Sequence, residues 1–338
     1  MIQAYTILLD SLRMLRASKL FWVSIWISTF VALAYASIGF TSTGISVGFG
    51  LFDFEIEVMR EGTPESEAFY LLLFTDLIVR FWLGWFSLFL ALISTCSIFP
   101  HFLQSGSIEL AISKPLSRLR LFLLKYFGGL LFVAVQTGLF CLIAFIAIGL
   151  RVDEWNFSVF WAVPMITFAF SLIYCVGVFI GVTTRSTVFA LLGTLLFWAL
   201  TLIAQWTEDA IYKMAYVMPQ IGLQVDMSTG EIRNTEEDAN SGLKKTYQSI
   251  QSITKLLPKS RECTISLKRL IHFKERDSML TGVDLGSVFA GSQMDPVVKD
   301  AMEKYELRHS WFSIIGTSLI FEILVLAGSA TIFIRRDY

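Results

Sequence analysis

Charge is scarce in this sequence. Only 16% of its 338 residues are Asp, Glu, Lys or Arg, against 55% hydrophobic and 14% aromatic. Much of such a chain must be solvated by lipid. The formal net charge of −1 carries no message about partners, because the charges are segregated along the chain. Histidine is scarce too. His101, His272 and His309 lie near different loops, so neither a zinc site nor a nucleophile–histidine pair can be assembled from them. Of the four cysteines, Cys96, Cys141 and Cys175 fall within apolar runs and Cys263 outside them. That leaves one cysteine in the only large polar region, which excludes an internal disulfide there, and no C-x-x-C spacing occurs. The sequence contains no G-x-x-x-x-G-K-[ST], so it does not hydrolyse ATP by that route. Gly39, Gly44, Gly48 and Gly50 lack the Lys that such a loop needs and read as a flexible exit from the first apolar run. Repeats of fixed period and low-complexity tracts are absent as well.

What the sequence has instead is six apolar runs, at about 20–40, 77–99, 121–150, 159–182, 188–206 and 311–334. Each offers roughly the twenty residues a helix needs to cross about 30 Å of hydrocarbon. Trp22, Trp82, Trp85, Trp155, Trp161, Trp206 and Trp311 stand near run ends, where an interfacial aromatic belt is expected. Residues 1–18 read as an amphipathic helix with Tyr5, Leu8, Leu9, Leu12 and Leu15 on one face. Ala34-Tyr35-Ala36 also fits a signal-peptide cleavage pattern, but the Trp- and Phe-rich run suits a retained anchor better.

Six spans put both termini on one side, and charge decides which. With the termini inside, the inner segments carry Arg13, Arg16, Lys19, Lys114, Arg118, Arg120, Lys125, Arg185, Arg335 and Arg336 against Asp10, Glu109 and Asp337. The first outer loop holds seven acids and only Arg60. The positive-inside rule therefore predicts cytoplasmic termini. The expected architecture is an all-α membrane protein in three parts. Residues 1–206 supply an N-terminal interfacial helix and spans 1–5. Residues 207–309 form a large extracytoplasmic insertion between spans 5 and 6. Residues 310–338 make span 6 and a cytoplasmic tail. Within the insertion, 242–257 and 296–307 read as helices.

Two intramembrane charges stand out. Arg80 follows Asp76 by four residues near the outer end of span 2, as an interfacial ion pair or a functional charge. Glu322 sits midway along span 6 with no neutralising neighbour in sequence; a structural hydrogen bond and a role in a translocation pathway are both open. Gly177-Val-Phe-Ile-Gly181 permits close helix approach, more plausibly inside the bundle than between copies.

The segment 104–129, QSGSIELAISKPLSRLRLFLLKYFGG, is the only interhelical stretch that joins a dense basic cluster to an amphipathic helical pattern. Phe102, Leu103, Ile108, Ala111 and Ile112 fall near helical spacing, Pro115 breaks the chain after Lys114, and Ser117 can cap a new helix. Between two spans, this is a cytoplasmic loop shaped to meet a cytosolic partner. The string G-S-I-E-L-A-I-S-K-P-L-S-R resembles the signature of ABC-2 type transporter permeases, the membrane subunits of ATP-binding-cassette exporters. Arg16–Trp22 (RASKLFW) is similar, more weakly, to the family's approach to span 1. The resemblance implies a coupling helix seated in a groove of a separate ATPase subunit, with Glu109, Lys114, Pro115 and Arg118 as contact residues. It implies ATP bound by that partner, no cofactor in this chain, and a second permease copy as homodimer or heterodimer. Location would be the bacterial cytoplasmic membrane, with lipid and no nucleic acid as surroundings. Catalytic and metal residues are not expected, and the substrate is not legible. An ATP-independent scaffold whose outer domain binds an envelope partner is the rival reading.

Overall fold

The structure, a computed structural model, describes residues 19–56, 59–104, 117–217, 236–255, 257–271, 273 and 310–336. Six helices in it are long and apolar enough to cross a membrane, which makes this a multi-pass membrane protein. They are α1 (Lys19–Ala36); a composite span, Pro64–Phe102; α5 (Arg118–Val152); α6 (Ala162–Thr184), led in by a 3-10 turn at Phe157–Trp161; α7 (Thr187–Tyr212); and α10 (Trp311–Arg335). The composite span joins α2 (Pro64–Leu72), a wide π-helical stretch (Leu73–Phe86), α3 (Ser87–Thr95) and α4 (Ile98–Phe102). Outside the spans lie α8 (Glu236–Thr254) and α9 (Ser260–Leu270).

Local chemistry explains the boundaries. Thr63 caps α2 by accepting from Ser66 N, Pro64 opens its first turn, and Glu65 and Glu67 complement the helix dipole there. Span 2 therefore starts thirteen residues before the apolar run does, because the capping signal lies in the polar approach. Ser117 caps α5 through a bond from Arg120 N, as its position before the basic cluster suggests. At 35 residues α5 is about 52 Å long, more than the hydrocarbon needs, so it projects past the lipid.

The chain leaving α1 is not a flexible exit. It forms a three-stranded antiparallel sheet, β1 (Gly39–Phe40), β2 (Gly44–Val47) and β3 (Phe52–Glu55). The glycines are what make it possible. A side-chain carbon on Gly44 would lie 2.2 Å from the Phe54 carbonyl oxygen, and Gly48, Phe49 and Gly50 turn the chain with φ of 74°, 59° and 93°. Span 1 accordingly ends at Ala36, short of Phe40.

At the centre stands α6, the most buried span, packed against α10, α7, α5 and α9. Its small residues let neighbours in closely. Gly177 faces Thr194 of α7 and Cys96, and Gly181 faces Pro100 and Ala190, so this G-x-x-x-G is spent on packing within the chain. Against α5, α1 lays a stripe of Ser24, Ser28, Ala32 and Tyr35, and Ser24 donates to Gln136 Oε1 at 3.1 Å. Tyr35 and Tyr70 stack at 4.6 Å and each hydroxyl donates to the other's carbonyl, joining spans 1 and 2.

The described part of the segment after span 5 is built into the bundle. Of it, α8 lies along α7, and α9 packs among α6, the π-helical stretch of span 2 and α10. Cys263, Leu267, Ile271 and Phe273 are fully buried in the same core as the spans. The helical reading of 242–257 is met by α8, which begins earlier, whereas α9 is an unanticipated element. The N-terminal amphipathic helix and the helix expected at 296–307 lie outside the described residues.

Candidate functional site

Among the described residues, three polar clusters interrupt the apolar bundle. The first is at mid-membrane. Glu322 accepts from the Tyr126 hydroxyl at 2.7 Å and from Ser171 Oγ at 3.1 Å, tying α10 to α5 and α6. The Tyr126 hydroxyl also lies 3.2 Å from the Ser171 carbonyl, so its one proton is shared between two acceptors. Tyr126 stacks on Tyr174 at 5.4 Å, and Tyr174 fits because Gly129 has no side chain: a carbon there would be 2.8 Å from the Tyr174 hydroxyl. The carboxylate is 8% exposed, so it faces helices and not lipid.

A second cluster closes one end of the bundle. Arg118 Nη1 donates to the carbonyls of Ile334 at 2.8 Å and Arg336 at 3.0 Å. Arg336 in turn donates to Val182 at 2.6 Å and Thr183 at 3.2 Å, capping the last turn of α6. Lys125 is buried, its ammonium 5.2 Å from the ring centroid of Phe102. The starts and ends of spans 2, 3, 4 and 6 are thereby locked together on the side from which 105–116 emerges.

At the opposite end, α9 is held by polar contacts to spans 5 and 6. Gln205 Nε2 donates to the Pro258 carbonyl at 2.8 Å, Lys259 N donates to Ser318 Oγ at 3.1 Å, and Arg261 pairs with Asp209. Gly84 lets Thr264 approach to 3.4 Å of where a side-chain carbon would be. Cys263 is completely buried, and that burial pushes its thiol well above the ordinary range.

Of the residues singled out in the sequence, Glu322 is brought into a cluster, and so is Arg118. Arg118 is half-buried, and its Nη1 ties the start of span 3 to the C-terminal end of span 6. Glu109, Lys114 and Pro115 lie outside the described residues. Asp76 is buried, while Arg80 is exposed with its guanidinium 5.9 Å from the Phe81 ring centroid. Tyr126 and Ser171 escaped sequence reasoning because nothing local marks a hydroxyl as the partner of a carboxylate 196 or 151 residues away. Among the described residues no cluster of His, Cys, Asp and Glu could hold a metal ion. Comparisons of the chain with protein-family models, with characterised proteins and with solved structures find no match.

Proposed function

We propose that this chain is the permease subunit of an ATP-binding-cassette exporter of the ABC-2 type, working as one of two membrane halves with a pair of separate ATPase subunits. The observation that carries the reading is the basic helix–break–helix string at 104–129, set between two spans. In that reading the string is a cytoplasmic coupling helix, both termini are cytoplasmic, and the protein resides in the bacterial cytoplasmic membrane. Segment 207–309 is extracytoplasmic.

The bundle's construction supports a mechanical role for this string. Its two anchors are rigid. Pro100 packs against Gly181, and Ser117 and Arg118 start a capped helix tied to the last turns of spans 4 and 6. A push on residues between such anchors is delivered to several spans at once. Segment 105–116 thus acts as the handle, with Glu109, Lys114 and Pro115 setting its docking, and Arg118 transmits its motion. The Glu322 cluster then fixes how spans 3, 4 and 6 move as a group.

The test is purification of the tagged chain from native membrane in mild detergent. The reading expects a stoichiometric subunit carrying a Walker A motif and ATP hydrolysis in the purified complex. A chain that purifies with envelope proteins and no nucleotide-hydrolysing subunit would be a scaffold instead.

A further inference from the structure

At the end of the bundle away from Arg118 and Arg336, a groove of about 410 Å³ opens between α1, α5 and the sheet. Leu33, Ala36, Phe49, Ile146 and Ala147 make its walls, and Arg151, in the last turn of α5, is the one charged residue lining it among the described residues. Its size falls in the range of sites that take a single small ligand. Leu33, Phe49 and Ile146 are 47%, 68% and 44% exposed, so the groove opens at the surface of the bundle.

The arginine gives the groove its chemistry. Its guanidinium lies against the backbone of Gly39, where a side-chain carbon would be 2.7 Å from Nη1, so glycine makes the room it occupies. Among the described residues no hydrogen bond or ion pair engages it. A guanidinium at the mouth of an apolar slot is matched by an anion with a hydrocarbon tail, and its planar fork suits phosphate oxygens. The sheet points the same way. Leu51, Phe52 and Phe54 are 79%, 64% and 56% exposed beside the groove, apolar side chains suited to the headgroup boundary. We propose that this groove binds one acidic phospholipid, an acyl chain lying along α1 and α5 and its phosphate on Arg151. The site requires only the membrane and does not rest on the ATPase reading.

The experiment equilibrates purified protein in mixed micelles of equimolar phosphatidylglycerol and phosphatidylcholine and counts retained lipids by native mass spectrometry. Phosphatidylglycerol is expected to be retained over phosphatidylcholine. Arg151→Gln should lower that preference about fivefold, Arg151→Lys should lower it less, and Arg185→Gln at the far end should leave it unchanged. Filling the slot with Ala147→Phe should reduce retention of the lipid with Arg151 intact. Arg151 is exposed, so its substitution does not threaten the fold. Equal retention of the two lipids by the native chain, undiminished preference in Arg151→Gln, or displacement by millimolar inorganic phosphate would each overturn the proposal.

Discussion

Replacing Tyr126 by Phe removes one hydroxyl and little else, which makes it the sharpest probe of the mid-membrane cluster. The ring stack on Tyr174, nearly parallel at 11°, survives the change. What goes is the 2.7 Å bond to Glu322 and the weaker sharing with the Ser171 carbonyl, while Ser171 Oγ still reaches the carboxylate at 3.1 Å. Hydrogen bonds between membrane helices are worth about 0.6 kcal/mol on average and up to about 1.7. This one is short and made to a carboxylate, so Tyr126→Phe should cost about 1–1.5 kcal/mol and Ser171→Ala about half that. Glu322→Leu leaves the Tyr126 hydroxyl its second acceptor. The double-mutant cycle of Tyr126→Phe with Glu322→Leu should therefore return a coupling of about 1 kcal/mol and not more. Reversible unfolding in mixed micelles, followed by circular dichroism as denaturing detergent is raised, reads these differences directly. A coupling of zero, with Tyr126→Phe as stable as the native chain, would refute the cluster as the tie between spans 3, 4 and 6.

Other substitutions test the neighbouring contacts. Gly177→Val should destabilise by about 1–3 kcal/mol, because even its first carbon would lie 2.8 Å from Thr194 Oγ1; Gly138→Ala, where nothing lies within 4 Å, should be neutral or mildly stabilising in the same unfolding assay. Arg261→Ala removes the guanidinium paired with the buried Asp209 carboxylate and should cost about 1–3 kcal/mol, loosening α9. Cys263 would report it: alkylation mapped by mass spectrometry should be slow in the native chain even at pH 8 and fast in the variant. Because burial raises that thiol, its contribution to stability is complete below the ordinary thiol range and is lost as pH rises above it. Arg118→Gln should speed deuterium exchange at 330–336, since two carbonyls there lose their charged donor; unchanged exchange would mean that the end of span 6 holds itself.

The spans were legible because lipid imposes a length and a polarity on any helix that crosses it, and runs such as 311–334 meet both. Their ends were less so. Thr63 and Pro64 announce the start of span 2 by capping chemistry, in a stretch too acidic to read as part of a span. The glycines after span 1 were visible, yet a Gly's tolerance for close approach is indistinguishable in sequence from looseness, and only the contact of Gly44 with Phe54 decides between them. In α9, Cys263, Leu267 and Leu270 do recur at helical spacing, but the charges between them hide a face that belongs in the membrane bundle's core. Glu322 could be flagged as costly from its position alone. Naming Tyr126 and Ser171 as its partners required knowing which spans adjoin, and helix pairing is written in packing and not in periodicity. Arg118 adds a contact that its motif does not announce: Nη1 reaches the end of span 6 within the chain.

Segment 104–129, proposed as the coupling string, bears the functional account, and Ile108→Pro is the most direct test of it. Proline inside the short helix expected there costs roughly 3 kcal/mol locally, and Ile108 lies outside the apolar runs of the sequence, so insertion should be normal. With the ATPase partner reconstituted beside the permease in vesicles, binding of that subunit and its stimulated ATP turnover should both fall sharply. Normal insertion with native ATPase binding and turnover would contradict the account, making 104–129 a connector and the protein a scaffold.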